Sequence, residues 1–265
     1  MPIDPLTANV GRPVVFEQDR RLLEALEYRY YGAVETALAQ NAMLPAKDED
    51  GWTPLMWAAV CGDTPTFELL VSRFDPEGTT VNERNNDRAT ALMIAADERD
   101  GPAMVRLLEL GADPNALHPC GSTSLLLFLE VAREEAHVNV IDAFVRAGAD
   151  LDDTQANGRN ALMFAAEKFS LATLTYVAQN ASPHRINDLD EDGCSALFYA
   201  AEEGLEKVQF LVAHGALADL TAADGSTPAQ RARDIGSIPV ADFLQQTADR
   251  ERQAQATFRG NALGA

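Results

Sequence analysis

Six helix starts recur along this chain at nearly constant spacing, and that recurrence limits the fold more than any other feature. They read "TPLMWAAVCGD" from Thr53, "TALMIAADERD" from Thr90, "TSLLLFLEVAR" from Thr123, "NALMFAAEKFS" from Asn160, "SALFYAAEEGL" from Ser195 and "TPAQRARDIGS" from Thr227. Successive starts lie 37, 33, 37, 35 and 32 residues apart. Periods of this size belong to stacked repeats, not to a single-core globule.

Each column of the repeat has a physical reason. The first residue is Thr, Asn or Ser throughout, and each of these can cap a helix N-terminus through its side-chain oxygen. Two residues on stand Leu55, Leu92, Leu125, Leu162 and Leu197, then Ala229. Five and six residues on come Ala58-Ala59, Ala95-Ala96, Ala165-Ala166 and Ala200-Ala201, small enough for neighbouring helices to approach closely. Two residues before the cap stand Gly51, Gly121, Gly158, Gly193 and Gly225, with Arg88 as the exception. A glycine there permits a tight turn into the helix.

A second helix follows each first one. "PAMVRLLELGADPN" (102–115) and "LEKVQFLVAHGALAD" (205–219) place apolar residues at helical spacing. Gly111, Gly148 and Gly215 then stand where a left-handed C-cap is wanted.

The chain resembles the ankyrin repeat family. The family's T-P-L-H-x-A-A signature stands here as Thr53-Pro54-Leu55-Met56-Trp57-Ala58-Ala59, and its glycine-alanine exit as Gly111-Ala112, Gly148-Ala149 and Gly215-Ala216. The resemblance covers residues 18–248 and implies an all-α solenoid of stacked helix-turn-helix units joined by β-hairpin fingers. Residues 22–51 keep the exit pattern, with Asn41-Ala42 for Gly-Ala, and read as an N-terminal capping repeat. Residues 227–246 lose their Leu and one Ala to Ala229 and Arg233 and read as the C-terminal cap. Five central repeats stand between the two. Residues 1–17 form an extended N-terminal segment in this reading, and 249–265 a polar tail.

Three departures carry expectations. The family's His is Met56, Met93, Leu126, Met163 and Phe198 here, so apolar packing should replace its hydrogen bond. The third repeat has Phe128-Leu129 for Ala-Ala and runs 25 residues from Thr123 to Gly148, against 21 from Thr90 to Gly111. The extra residues are expected to add about one helical turn. Residues 72–90 should form an enlarged loop.

Charge bears on the partner. The chain has 21 Lys and Arg against 41 Asp and Glu, a net charge of −20. Such a surface repels phosphates and anionic membranes and attracts basic proteins. Cys61, Cys120 and Cys194 lack the spacing of a disulfide framework or a zinc site. The histidines His118, His137, His184 and His214 are scattered, and His214 stands at a helix C-terminus, where a cation offsets the dipole. "DLDEDG" (188–193) lacks the remaining ligands of a calcium loop and reads as a hairpin tip. No catalytic motif is present in the sequence, so no enzyme, no cofactor and no metal are expected. The absence of a long apolar run and of a signal-peptide core argues for a cytoplasmic chain, with the nucleus as the alternative.

Counting from the cap locates the candidate surface. Four residues on stand Trp57, Ile94, Leu127, Phe164, Tyr199 and Arg231; seven on, Val60, Asp97, Glu130, Glu167 and Glu202; eight on, Cys61, Glu98, Val131, Lys168 and Glu203. Positions three and four apart share a helix face. The resemblance implies that this face lines the concave groove and that hairpin tips continue it. The candidate partner-binding residues are Glu49, Asp50, Trp52, Trp57, Asp87, Asp97, Glu98, Glu130, Arg159, Phe164, Glu167, Asp192, Tyr199, Glu202 and Glu203. Arg159 interrupts the acidic row, Trp52 and Trp57 are expected to be partly exposed, and Cys61 reads as a small apolar groove residue.

The expected function is a non-enzymatic interaction module, monomeric, that binds a basic protein partner through this groove and these tips, with no direct contact to nucleic acid or membrane. One alternative is a stoichiometric inhibitor or dedicated chaperone that masks a basic, nucleic-acid-binding surface. Another is a structural subunit of a larger assembly.

Overall fold

A computed structural model describes residues 17–42, 47–62, 64–75, 78–132 and 138–262, with side chains through 257. The expected N-terminal segment lies outside these residues except for Glu17, and so does His137.

The helices are α1 (Glu17–Glu27), α2 (Tyr31–Ala39), α3 (Pro54–Cys61), α4 (Thr64–Phe74), α5 (Ala91–Asp97), α6 (Gly101–Glu109) and α7 (Ser124–Val131). They continue as α8 (Val138–Arg146), α9 (Ala161–Lys168), α10 (Leu171–Asn180), α11 (Ala196–Glu203), α12 (Leu205–Ala213), α13 (Pro228–Asp234) and α14 (Ile238–Ala262). The odd-numbered helices from α3 to α13 pack in sequence as one row, and the even-numbered helices from α4 to α14 as a second. Each helix also packs against the other member of its pair in α1–α2, α3–α4, α5–α6, α9–α10, α11–α12 and α13–α14. The paired alanines are fully buried between neighbours, and one continuous apolar core runs from Leu22 to Ala248. This is an all-α repeat solenoid. Its fingers are turns closed by single antiparallel bridges, Leu117 with Thr123 and Thr154 with Asn160, and no longer strand forms among the described residues.

The caps form largely as the sequence requires. Thr53, Thr90, Thr123, Asn160 and Thr227 each accept the backbone N–H three residues on. Ser195 departs: it makes no capping bond, and its buried hydroxyl has no partner among the described residues. Two residues before the cap, φ is positive in every repeat, from +74° at Gly193 to +85° at Gly121, and Arg88 takes +66°. The position demands the left-handed conformation, and Arg88 adopts it against its own preference.

Two expectations are corrected in part. Met56 and Met93 do not only pack: each sulfur accepts the backbone N–H of its own cap residue, at 3.5 and 3.4 Å. The extra length of the third repeat falls on residues 133–137, which lie outside the described residues, so the expected added turn lies there too. In the described residues α7 and α8 have 8 and 9 residues, as α11 and α12 do. In 72–90, α4 continues to Phe74, and Asp75 then accepts bonds from the N–H and hydroxyl of both Thr79 and Thr80. Burial works to raise the Asp75 carboxyl, but these four bonds hold it below the ordinary range.

No described helix is long and apolar enough to cross a membrane. α14 runs through residue 248 without a break, and the Glu251 carboxylate accepts the Ala218 N–H at 3.1 Å.

Candidate protein-binding face

The face is built from the C-terminal halves of the inner helices and the fingers beside them. In the first repeat Trp52 and Trp57 pack ring to ring at 4.9 Å and 36°, both half-buried. Asp48 fixes this pair. Its Oδ2 accepts the Trp57 indole N–H at 3.1 Å, and its Oδ1 accepts the N–H groups of Asp50 and Trp52. Glu49 and Asp50 stand exposed on the same finger. Val60 is half-buried beside them, and Cys61 is fully buried, with its carbonyl bonded by Tyr31. The expected groove cysteine is therefore a core residue.

The fourth repeat places different groups in the same columns. The Arg159 guanidinium lies over the Phe164 ring at 4.2 Å and the Tyr199 ring at 4.4 Å. Its Nη2 meets the Glu167 carboxylate at 2.5 Å. Tyr199 donates its hydroxyl to Asp190 at 2.5 Å, and burial, reinforced by this bond, pushes that hydroxyl far above the ordinary tyrosine range. Phe164 is 0% exposed beneath Arg159 and has no surface to offer a partner.

Most acids of the expected row are neutralised within the chain. Glu98 pairs with Arg29, Glu167 with Arg159, Glu202 with Arg231 and Glu203 with Lys207. Glu130 accepts from the Gln155 amide at 2.9 Å, and its carbonyl takes the Lys168 ammonium. Glu130, Glu167 and Glu203 line a cavity of about 640 Å³ together with Arg99 and Lys168. Asp97 is exposed as a residue, yet burial pushes its carboxyl upward, with His118 opposing and Glu98 adding to the rise.

The fingertip acids differ. Asp50, Asp87 and Asp192 are exposed, and none makes an ion pair among the described residues. All three occupy one column, three residues before the cap, as does Asp224.

The structure thus joins Glu49, Asp50, Trp52 and Trp57 at one finger. It closes Arg159, Phe164, Glu167 and Tyr199 on one another and leaves Asp87 and Asp192 single on their own tips. Sequence reasoning missed the internal partners Arg29, Asp48, Asp190, Lys207 and Arg231. A signal for two of them existed: Asp48 and Asp190 stand in one column, five residues before the cap. The described residues hold no group of three His, Cys, Asp or Glu side chains fit to bind a metal.

Known proteins match this arrangement. The sequence profile for ankyrin repeats covers residues 22–118 and 127–224. The B-cell lymphoma 3 protein of Homo sapiens is 31% identical over 248 residues, covering 80% of this chain and 53% of that protein. Its homolog in Mus musculus is 30% identical over 78% of this chain and 46% of that protein. Protein glp-1 of Caenorhabditis elegans is 28% identical over 93% of this chain and 20% of its own length. The chain spans about half the length of the two B-cell lymphoma 3 proteins.

Proposed function

The chain belongs to the ankyrin repeat family, an interaction fold, and from that premise we propose that it binds a basic segment of a protein partner across its fingertips and the adjoining inner-helix face. The binding domain is 18–248, flanked by the segments 1–17 and 249–265, and it acts as a monomer and without catalysis.

One observation carries the reading. Asp50, Asp87 and Asp192 are exposed and make no ion pair among the described residues, while Glu98, Glu167, Glu202 and Glu203 are held by the chain's own bases. The net charge of −20 steers a basic partner toward the face and repels phosphate-bearing polymers. The Trp52–Trp57 pair supplies a rigid aromatic anchor of the kind that dominates interface energies. The more exposed pairs, Glu98 with Arg29 and Glu202 with Arg231, are weak, about 0.2–1 kcal/mol each, so a partner's cations can displace Arg29 and Arg231.

An array of short peptides graded in Lys and Arg content tests the reading. The full chain should retain the basic peptides, and affinity should fall steeply with salt. Replacing Asp50, Asp87 and Asp192 together by Lys should weaken binding by at least about tenfold. Retention that ignores peptide charge, or survives the triple replacement, defeats it.

A further inference from the structure

The third finger breaks the chemical pattern of the others. Five residues before the cap stand Asp48, Asn85, Gln155 and Asp190, then Ala222; the third repeat has His118. Three residues before the cap stand Asp50, Asp87, Asn157, Asp192 and Asp224; the third repeat has Cys120. Two columns otherwise filled mainly by acids and amides hold an imidazole and a thiol in one finger only.

The turn brings the two together. His118, Pro119, Cys120 and Gly121 form a tight turn, in which the Gly121 N–H donates to the His118 carbonyl at 2.8 Å and Gly121 takes φ +85°. Pro119 fixes the backbone at the second position, and the His118 N–H closes the finger on the Ser122 carbonyl at 2.9 Å. His118 Nδ1 then lies 3.0 Å from Cys120 Sγ. The same nitrogen accepts the Cys120 backbone N–H at 3.3 Å, as Asp48 and Asp190 accept the N–H two residues on in their fingers. A backbone N–H only donates, so Nδ1 carries the lone pair and the neutral ring bears its hydrogen on Nε2. The nitrogen facing the sulfur therefore carries the ring's one lone pair, shared between the Cys120 N–H at 3.3 Å and the thiol sulfur at 3.0 Å. Asp97 lies within electrostatic reach of the ring and offers the charge opposite to an imidazolium.

The other two thiols differ. Cys61 is 0% exposed and donates to the Trp57 carbonyl, and Cys194 is 4% exposed, with its thiol pushed upward by burial. Cys120 is exposed.

We propose that Cys120 is a modification site at which the thiol exchanges with low-molecular-weight disulfides, with His118 as its base. Sγ attacks one sulfur of the disulfide while Nδ1 takes the thiol proton. The new Sγ–S bond forms as the old S–S bond breaks, and the departing thiolate recovers the proton from the ring. Cys120 is oxidised and the disulfide reduced, with no other reactant. The product is a mixed disulfide on the tip of the third finger, in the column where neighbouring fingers carry an acid.

The test uses the full chain, oxidised glutathione near neutral pH, and mass spectrometry of the cysteine-bearing peptides over time. Bis(2-hydroxyethyl) disulfide serves as an uncharged second reagent, because the acidic surface repels glutathione. Cys120 should be modified first with both reagents, at least about tenfold faster than Cys61 or Cys194. His118→Asn and His118→Gln place in this column residues that other fingers use natively, so the turn keeps its acceptor. Each should slow the reaction at Cys120 about tenfold or more with an unchanged circular dichroism spectrum. Equal rates at the three thiols, or an undiminished rate in both His118 variants, would overturn the proposal.

Discussion

The first and fourth repeats use the same three columns to opposite ends. One residue before the cap, the first has Trp52 and the fourth has Arg159. Four residues after it stand Trp57 and Phe164; seven after, Val60 and Glu167. In the fourth repeat the cation, its aromatic rings and its carboxylate all come from this chain, and the arrangement is closed. In the first repeat the rings are present, no cation lies over them among the described residues, and Glu49 and Asp50 are exposed. A column of the repeat therefore fixes where a side chain sits but not whether it faces a partner. The groups around it, from its own repeat and the next, decide that.

The largest test contrasts the two aromatic positions. Phe164 is fully buried, so Phe164→Ala should cost about 3–5 kcal/mol in urea unfolding. Trp57 is half-exposed, and Trp57→Ala should cost about half of that or less, while weakening binding of basic peptides far more. Equal losses of stability would break the comparison, because both rings would then be core.

A smaller effect is expected at Tyr199. Its hydroxyl donates to the Asp190 carboxylate, so Tyr199→Phe should cost about 1.5–3 kcal/mol. The pH dependence has a definite sign. Burial and the Asp190 bond favour the protonated hydroxyl in the folded state. That contribution is complete below the unfolded tyrosine pKa of about 10 and declines as pH rises above it. Alkaline unfolding curves of the native chain should show the decline, and Tyr199→Phe should flatten it.

Much of this was legible in the sequence, and the remainder has a common physical cause. The caps, paired alanines and glycine column specify the stack through local chemistry, and Thr53, Leu55 and Ala58-Ala59 behave as their types require. The site was less legible because its decisive contacts are long-range. Nothing near Glu98 announces that Arg29, 69 residues earlier, pairs with it, or that Arg231 reaches Glu202. Phe164 and Trp57 share a column, and only the presence of Tyr199 and Arg159 above one of them separates core from surface. Ser195 has the right residue type for a cap and does not form one.

The ion pair of the closed site is the next test. Arg159 retains only 17% side-chain exposure and Glu167 33%, so the pair is partly screened. Glu167→Gln should cost about 1 kcal/mol and leave the guanidinium stacked on its rings. The more informative readout is binding. Freed from Glu167, Arg159 becomes a cation on an acidic face, and basic peptides should bind a few times more weakly in the variant. Unchanged or tighter binding in the variant would mean that the Arg159–Glu167 pair lies outside the contact surface.

The smallest expected change in stability comes from copying the closed arrangement into the first repeat. Trp52→Arg with Val60→Glu gives that repeat the fourth repeat's residues at both positions, beneath a retained Trp57. An exposed stacked guanidinium with one carboxylate contributes about 1 kcal/mol or less, and the lost Trp52–Trp57 packing offsets it, so the unfolding midpoint should scarcely move. Binding should respond differently. The resident guanidinium would cover the Trp57 face, and basic peptides should lose about tenfold or more in affinity despite the added acid at position 60. If they bind as before, the open rings of the first repeat are not the anchor, and recognition rests on the fingertip carboxylates alone.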